Sequence, residues 1–163
     1  MVERIYERLA VVGLIPMRHI TTAATTIYSG AVDMSKLSRA LVIAEGSSAG
    51  TTKNVKGITV KLWDCDASGT AAGTCFLTSA VTHIPGTAAS NPPVILCEIS
   101  GDDLGVYGAG LNVRGRYFKA SITNSTAVLN HYGAFILGEA KYGPAYKDDH
   151  AAVTSIEVGE DVA

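Results

Sequence analysis

Apolar and polar residues change places at every step along much of this chain. Phe118, Ala120 and Ile122 alternate with Tyr117, Lys119 and Ser121; Ile95, Cys97 and Ile99 alternate with Leu96, Glu98 and Ser100; Ile58, Val60 and Leu62 alternate with Thr59, Lys61 and Trp63. A period of two puts successive side chains on opposite faces of a strand. One apolar and one polar face predict antiparallel sheets that each bury a single side. Strand-like runs follow one another from residue 22 onward: TTIYSGAVDM, RALVIAEG, GITVKLWD, CFLTSAVT, PVILCEIS, RYFKASIT and TAVLNHYGAFILG. Turn-forming clusters separate them at Ser47–Gly50, Ala67–Gly69, Asn91–Pro93, Gly101–Asp103 and Thr123–Ser125. Strands without intervening helices predict an all-β fold, an antiparallel β-sandwich of jelly-roll-like or immunoglobulin-like type.

The first twenty residues read differently. Val2, Ile5, Leu9 and Val12 follow helical spacing, with Glu3, Arg4, Glu7 and Arg8 between them, until Gly13 and Pro16 interrupt the pattern. The expectation is a short N-terminal helical arm over 1–20, a sandwich over 21–146, and a tail or extended arm over 147–163. A helix of about three turns is marginal alone in water and needs a surface to fold against. Its own sandwich, a sister subunit or another protein could provide that surface. Pro16 and the Thr-rich stretch 21–26 suit an extended connection, so docking on a neighbour is the expectation.

Composition narrows the function classes. The chain has 163 residues, enough for one domain, and 47% apolar residues, enough to supply a core. A net charge of −2 with 17% charged residues gives no electrostatic reason for nucleic-acid binding. No apolar run is long enough for a membrane helix. The N-terminus, acidic at Glu3 and Glu7, lacks the pattern of a signal peptide. Cys65, Cys75 and Cys97 form no C-x-x-C motif; they are expected to be reduced thiols, with Cys65 and Cys75 facing each other across a loop as the one pairing worth testing.

The segment KLWDCDASGTAAGTC is the nearest approach to a metal site. Asp64, Asp66 and Ser68 alternate like the first ligands of a calcium loop, with Gly69 at the sharp turn. The twelfth position is Cys75 rather than a bidentate Glu, and strand-like runs flank the segment, so it reads as a hairpin loop. His131 shares a strand face with Phe135 and Leu137 and reads as a core or interface histidine; His19, His83 and His150 lie apart in sequence. The glycines of GVYGAGLNVRG do not fit a dinucleotide loop. Asp102 and Asp103 read as a polar turn. No catalytic set, cofactor site or metal site is expected, and the chain does not read as an enzyme.

The order of features resembles small head-associated proteins of tailed bacteriophages and prophages. In that group a G-x-x-x-D segment precedes a hydrophobic strand, a V-K-L hairpin follows, and an R-Y-x-K/R-x-x-x-T strand leads to a closing G-x-x-x-x-x-P. Here these positions are Gly30 and Asp33, one residue closer together than in that segment, with Val60, Lys61, Leu62, Arg116, Tyr117, Lys119, Thr123, Gly138 and Pro144. The resemblance spans residues 28–146; the charged N-terminus and the tail after Tyr146 depart from it. It implies a capsid decoration or cement protein, commonly a homotrimer, bound to the major capsid protein on the outside of the virion and made in the host bacterial cytoplasm. Gly30–Asp33 and Tyr142–Ala145 would then be structural signatures. Candidate contact residues are Val2, Ile5, Leu9 and Val12 of the arm, with Tyr142 and Tyr146. Two alternatives stand beside this: a neck or tail component, and a carbohydrate- or host-surface-binding sandwich using Trp63, Tyr107 and Tyr142.

Overall fold

The computed structural model describes residues 9–20, 24–48, 57–81, 94–101, 104, 116–124 and 130–141. Nine strands appear among them: β1 (Leu9–Ile20), β2 (Thr26–Tyr28), β3 (Val32–Asp33), β4 (Leu37–Ser48), β5 (Ile58–Cys65), β6 (Ala71–Val81), β7 (Val94–Ser100), β8 (Tyr117–Asn124) and β9 (Asn130–Ala140). A single 3₁₀ turn, Met34–Lys36, joins β3 to β4. Two antiparallel sheets result. One, sheet A, has the order β1-β9-β4-β7; the other, sheet B, has the order β2-β8-β5-β6, with β3 also pairing β8.

The alternating runs define the core. From sheet A, Val42, Ala44, Ile95, Ile99 and Ile136 point inward; from sheet B, Ile58, Val60, Leu62, Phe118 and Ile122 meet them, all buried in one cluster. The fold is an all-β sandwich. Tyr132 of β9 crosses this core, fully buried, and its hydroxyl donates to the Thr25 carbonyl at 3.2 Å. That bond satisfies the one polar atom the ring carries inside and ties sheet A to the start of β2.

The helical arm is corrected where the residues are described. Leu9 and Val12 lie on β1, a strand, while Val2 and Ile5 fall outside the described residues. β1 pairs β9 from Leu9↔Glu139 to Ile20↔Asn130, with register shifts at Val11/Gly13 and Ile15/Arg18. Each shift adds residues on β1 and breaks its alternation, which is why the apolar spacing imitates a helix. Pro16 sits in the second shift, on an edge strand, where its missing N–H costs no ladder bond.

The resemblance positions hold the chain together locally. Arg116 grips Asp33 with both arms, Nε to Oδ1 at 3.1 Å and Nη2 to Oδ2 at 2.8 Å. Asp33 Oδ1 also accepts from the Ser35 amide at 2.9 Å, capping the 3₁₀ turn. The Arg116 hydrogen bonds lead the effects that bring the Asp33 pKa down to about 2. Lys119 Nζ donates to the Gly69 carbonyl at 2.6 Å and pins the β5–β6 loop to β8.

Candidate interaction surface

The acidic loop is a closed turn. Asp66 Oδ1 accepts from the Ser68 amide (2.9 Å), the Ser68 hydroxyl (2.6 Å) and the Thr70 amide (2.9 Å). The Gly69 amide donates to the Asp66 carbonyl at 3.0 Å, and Gly69 adopts φ +82°, a conformation that favours glycine. Asp66 is thereby spent on its own backbone. Asp64, two residues earlier on β5, is buried at 2% exposure. Among the described residues no three His, Cys, Asp or Glu side chains gather as they would around a metal ion. Cys65 stands opposite Ala71, and Cys75 opposite Trp63, so these cysteines do not face each other. All three cysteines are free thiols, and burial pushes Cys65 up to about 11.

The outward faces of the two sheets differ in chemistry. On sheet B, the rows Thr26–Thr123–Thr59 and Tyr28–Ser121–Lys61 are polar. Trp63 lies on this face, but its indole N–H is committed to Ser121 Oγ at 2.8 Å and Lys61 Nζ stands 5.7 Å from its ring centre. Lys119 likewise caps the Tyr28 ring at 4.4 Å. The aromatic rings of this face are thus engaged by cations of their own chain.

Sheet A turns an apolar band outward. In register across all four strands run Leu14, Phe135, Ile43 and Leu96, and beside them Val11, Leu137 and Leu41. Leu96 is 62% exposed, Phe135 57%, Met17 55% and Val94 53%. Large apolar side chains grouped on one face mark a contact surface, whereas scattered ones carry no such meaning. The sequence expectation of one polar face per sheet fails here. In β4, β7 and β9 both parities carry apolar residues, a signal available in RALVIAEG and AFILG that reads equally well as a strand buried on both sides.

Two depressions indent the band. One, of about 260 Å³, is lined by Leu9, Leu41, Leu137, Arg39, Glu98 and Glu139. Arg39 donates from Nε to Glu139 Oε2 at 2.9 Å and from Nη1 to Glu98 Oε1 at 3.4 Å, bridging three strands at that end. The other, of about 90 Å³, lies among Leu14, Met17, Ile43, Val94 and Phe135. Both depressions open on the same face, and neither brings together a nucleophile and a base.

The residues expected from sequence to make contacts are distributed as follows. Leu9 lines the larger depression. Val12 packs against the core rather than outward. Val2, Ile5, Tyr142 and Tyr146 lie outside the described residues, as do Tyr107 and the 147–163 tail. His131 belongs to the outward parity of β9 with Phe135 and Leu137, and pairs in register with His19 and Ser47. The band itself, Leu96, Phe135, Ile43 and Leu41, is what sequence reasoning missed.

No family model and no curated protein matches the chain. Among solved structures, it is similar to infectious bursal disease virus of the Gx strain, at 14% identity over 83% of this chain, with TM-score 0.44. A second similar structure is the infectious bursal disease virus VP2 subviral particle, at 11% identity over 81% of this chain, with TM-score 0.37. The chain spans 33% of the length of each of these.

Proposed function

We propose that this protein is a structural component of a virus particle, a decoration or cement protein that docks on the outer shell of a tailed-phage capsid. The observation that carries the proposal is the apolar band on the outside of sheet A, a surface that gains by being covered. The resemblance of residues 28–146 to head-associated phage proteins supplies the partner, the major capsid protein. A shell presents many identical sites, so each contact can be modest while repetition supplies the hold. The role asks for a rigid sandwich with one adhesive side. The carbohydrate-binding alternative loses support at Trp63, a half-buried ring with Lys61 Nζ 5.7 Å from its centre and its indole N–H committed to Ser121.

Immunogold labelling of negatively stained particles, with an antibody to this protein, tests the placement. Label over the head surface is expected; label confined to neck or tail, or to no particle, overturns it. Particles lacking the protein should take up added wild type. They should not take up a Leu41→Glu, Phe135→Glu double variant, while Lys61→Glu on the other sheet binds as wild type does.

A further inference from the structure

The outward face of sheet A holds two carboxylates among its apolar side chains. Glu98 shares the outer parity of β7 with Val94 and Leu96, and Glu45 shares that of β4 with Leu41 and Ile43. In register, Glu98 stands beside Leu41 and Glu45 beside Val94. The two acids therefore bracket a patch whose middle is Ile43, Leu96 and Phe135. Four residues along a strand and one strand across put them about 14 Å apart.

Neither acid is fully balanced by the described chain. Glu98 accepts from Arg39 Nη1 at 3.4 Å, while the shorter bond of that guanidinium, 2.9 Å from Nε, goes to Glu139. The Glu98 side chain is 61% exposed. Glu45 lines the smaller depression with Leu14, Met17, Ile43, Val94 and Phe135, and no ion pair among the described residues includes it. Arg18 comes level with the next residue, Gly46, but it lies on β1, beyond β9. Water serves both carboxylates while the face is open. A partner that covers Ile43, Leu96 and Phe135 removes that water, and a carboxylate under a dry contact is costly unless a cation meets it.

We infer that this face fits a protein surface carrying two basic side chains about 14 Å apart, with a large apolar side chain between them. An extended segment supplies this with Lys or Arg at positions i and i+4 and the apolar residue at i+2, since alternate residues of a strand share one face and four residues span about 13 Å. The apolar residue enters between Ile43, Leu96 and Phe135, and the two cations meet Glu45 and Glu98. A wholly apolar surface would strand both acids, and an acidic one would add repulsion. The inference rests on the proposal that the band docks on the capsid shell, and it names the chemistry required of the shell's side.

Cosedimentation of the full chain with particles that lack it reads the affinity. Wild type should bind more weakly as NaCl rises from about 50 to about 500 mM. Glu45→Gln with Glu98→Gln keeps side-chain size and should weaken binding about tenfold or more, because the partner's cations lose their counter-charges; most of the salt dependence should go with it. Glu45→Lys with Glu98→Lys should abolish uptake, and Lys61→Glu on sheet B should leave it unchanged. The salt dependence of wild type needs no substitution, so it decides the matter if a variant misfolds. Uptake that Phe135→Glu abolishes but that neither salt nor the paired Glu substitutions alter overturns the inference and leaves the virion role standing. Wild type taken up by no particle overturns the role, and the inference with it. Free protein that sediments as a dimer dissociated by Phe135→Glu would give the face to a second copy and overturn the inference as well.

Discussion

Replacing Gly133 with alanine should loosen β1 from the sandwich. Gly133 lies in β9 where two residues of β1, Pro16 and Met17, stand opposite one of β9, between the pairs Ile15↔Ala134 and Arg18↔Tyr132. A Cβ built on Gly133 would come to 2.9 Å from the Ile15 carbonyl oxygen, 2.9 Å from the Met17 nitrogen and 3.0 Å from the Met17 Cα. All three are backbone atoms, so no side chain can rotate away and β1 itself must shift. Overpacking of this kind costs roughly 1–3 kcal/mol. Against it stands the gain of about 0.4–1 kcal/mol from a stiffer unfolded chain when glycine becomes alanine. The net loss is therefore about 1–2 kcal/mol, a fall of roughly 2–8 °C in Tm for a chain of this size. Urea unfolding followed by tryptophan fluorescence measures it. Gly30→Ala, where a Cβ meets nothing within 4 Å, is the control and should stay within about ±0.5 kcal/mol. A Gly133→Ala protein as stable as wild type would refute the close approach of β1 and β9. A lower slope against urea would show that β1 has already left the native sheet.

Leu62→Ala and Ile122→Ala, both fully buried between the sheets, should each cost about 2–5 kcal/mol in chemical denaturation; near-zero losses would mean that β5 and β8 present their other faces to the core. The Asp33–Arg116 pair makes stability pH-dependent. Because the folded pKa of Asp33 lies below its ordinary value, at about 2 against 3.8, its contribution is complete above pH 3.8 and is lost as pH falls toward 2. Arg116 is half exposed, at 52%, so screening holds that contribution to about 1 kcal/mol. Asp33→Asn should flatten the stability profile between pH 5 and 2, and an unchanged slope would count against the ion pair.

The sequence discloses some of these elements and conceals others for identifiable reasons. β5 and β8 keep the alternation, and their inward residues, Leu62 and Ile122 among them, are where that alternation puts them. β1 is concealed because its two register shifts break the period of two, leaving Leu9 and Val12 at a spacing that suits a helix equally well. The outward band is concealed for another reason. In β4, Leu41 and Ile43 alternate with Ala40, Val42 and Ala44, so both faces are apolar, and a single sequence does not say which face meets the opposite sheet. The hairpin at Asp66 is legible from turn chemistry alone, and Asp64 takes the inward parity that Ile58, Val60 and Leu62 set along β5.

The order of strands in sheet A also dictates when the protein can begin to exist. β9 lies between β1 and β4, yet it is among the last described segments to leave the ribosome. Until Asn130–Ala140 has emerged, β1 has no neighbour in its sheet, and β4 has only β7. Sheet B waits in the same way, because β8 separates β2 from β5. Contacts such as Leu9↔Glu139 close loops of more than a hundred residues, and chains built from such distant pairings fold slowly. For the whole interval of synthesis the apolar strands Leu37–Ser48 and Val94–Ser100 are exposed on an unfinished chain, in the state most prone to aggregate. Nascent copies therefore have reason to engage a chaperone, and truncation anywhere before residue 140 should yield an insoluble fragment rather than a smaller sandwich.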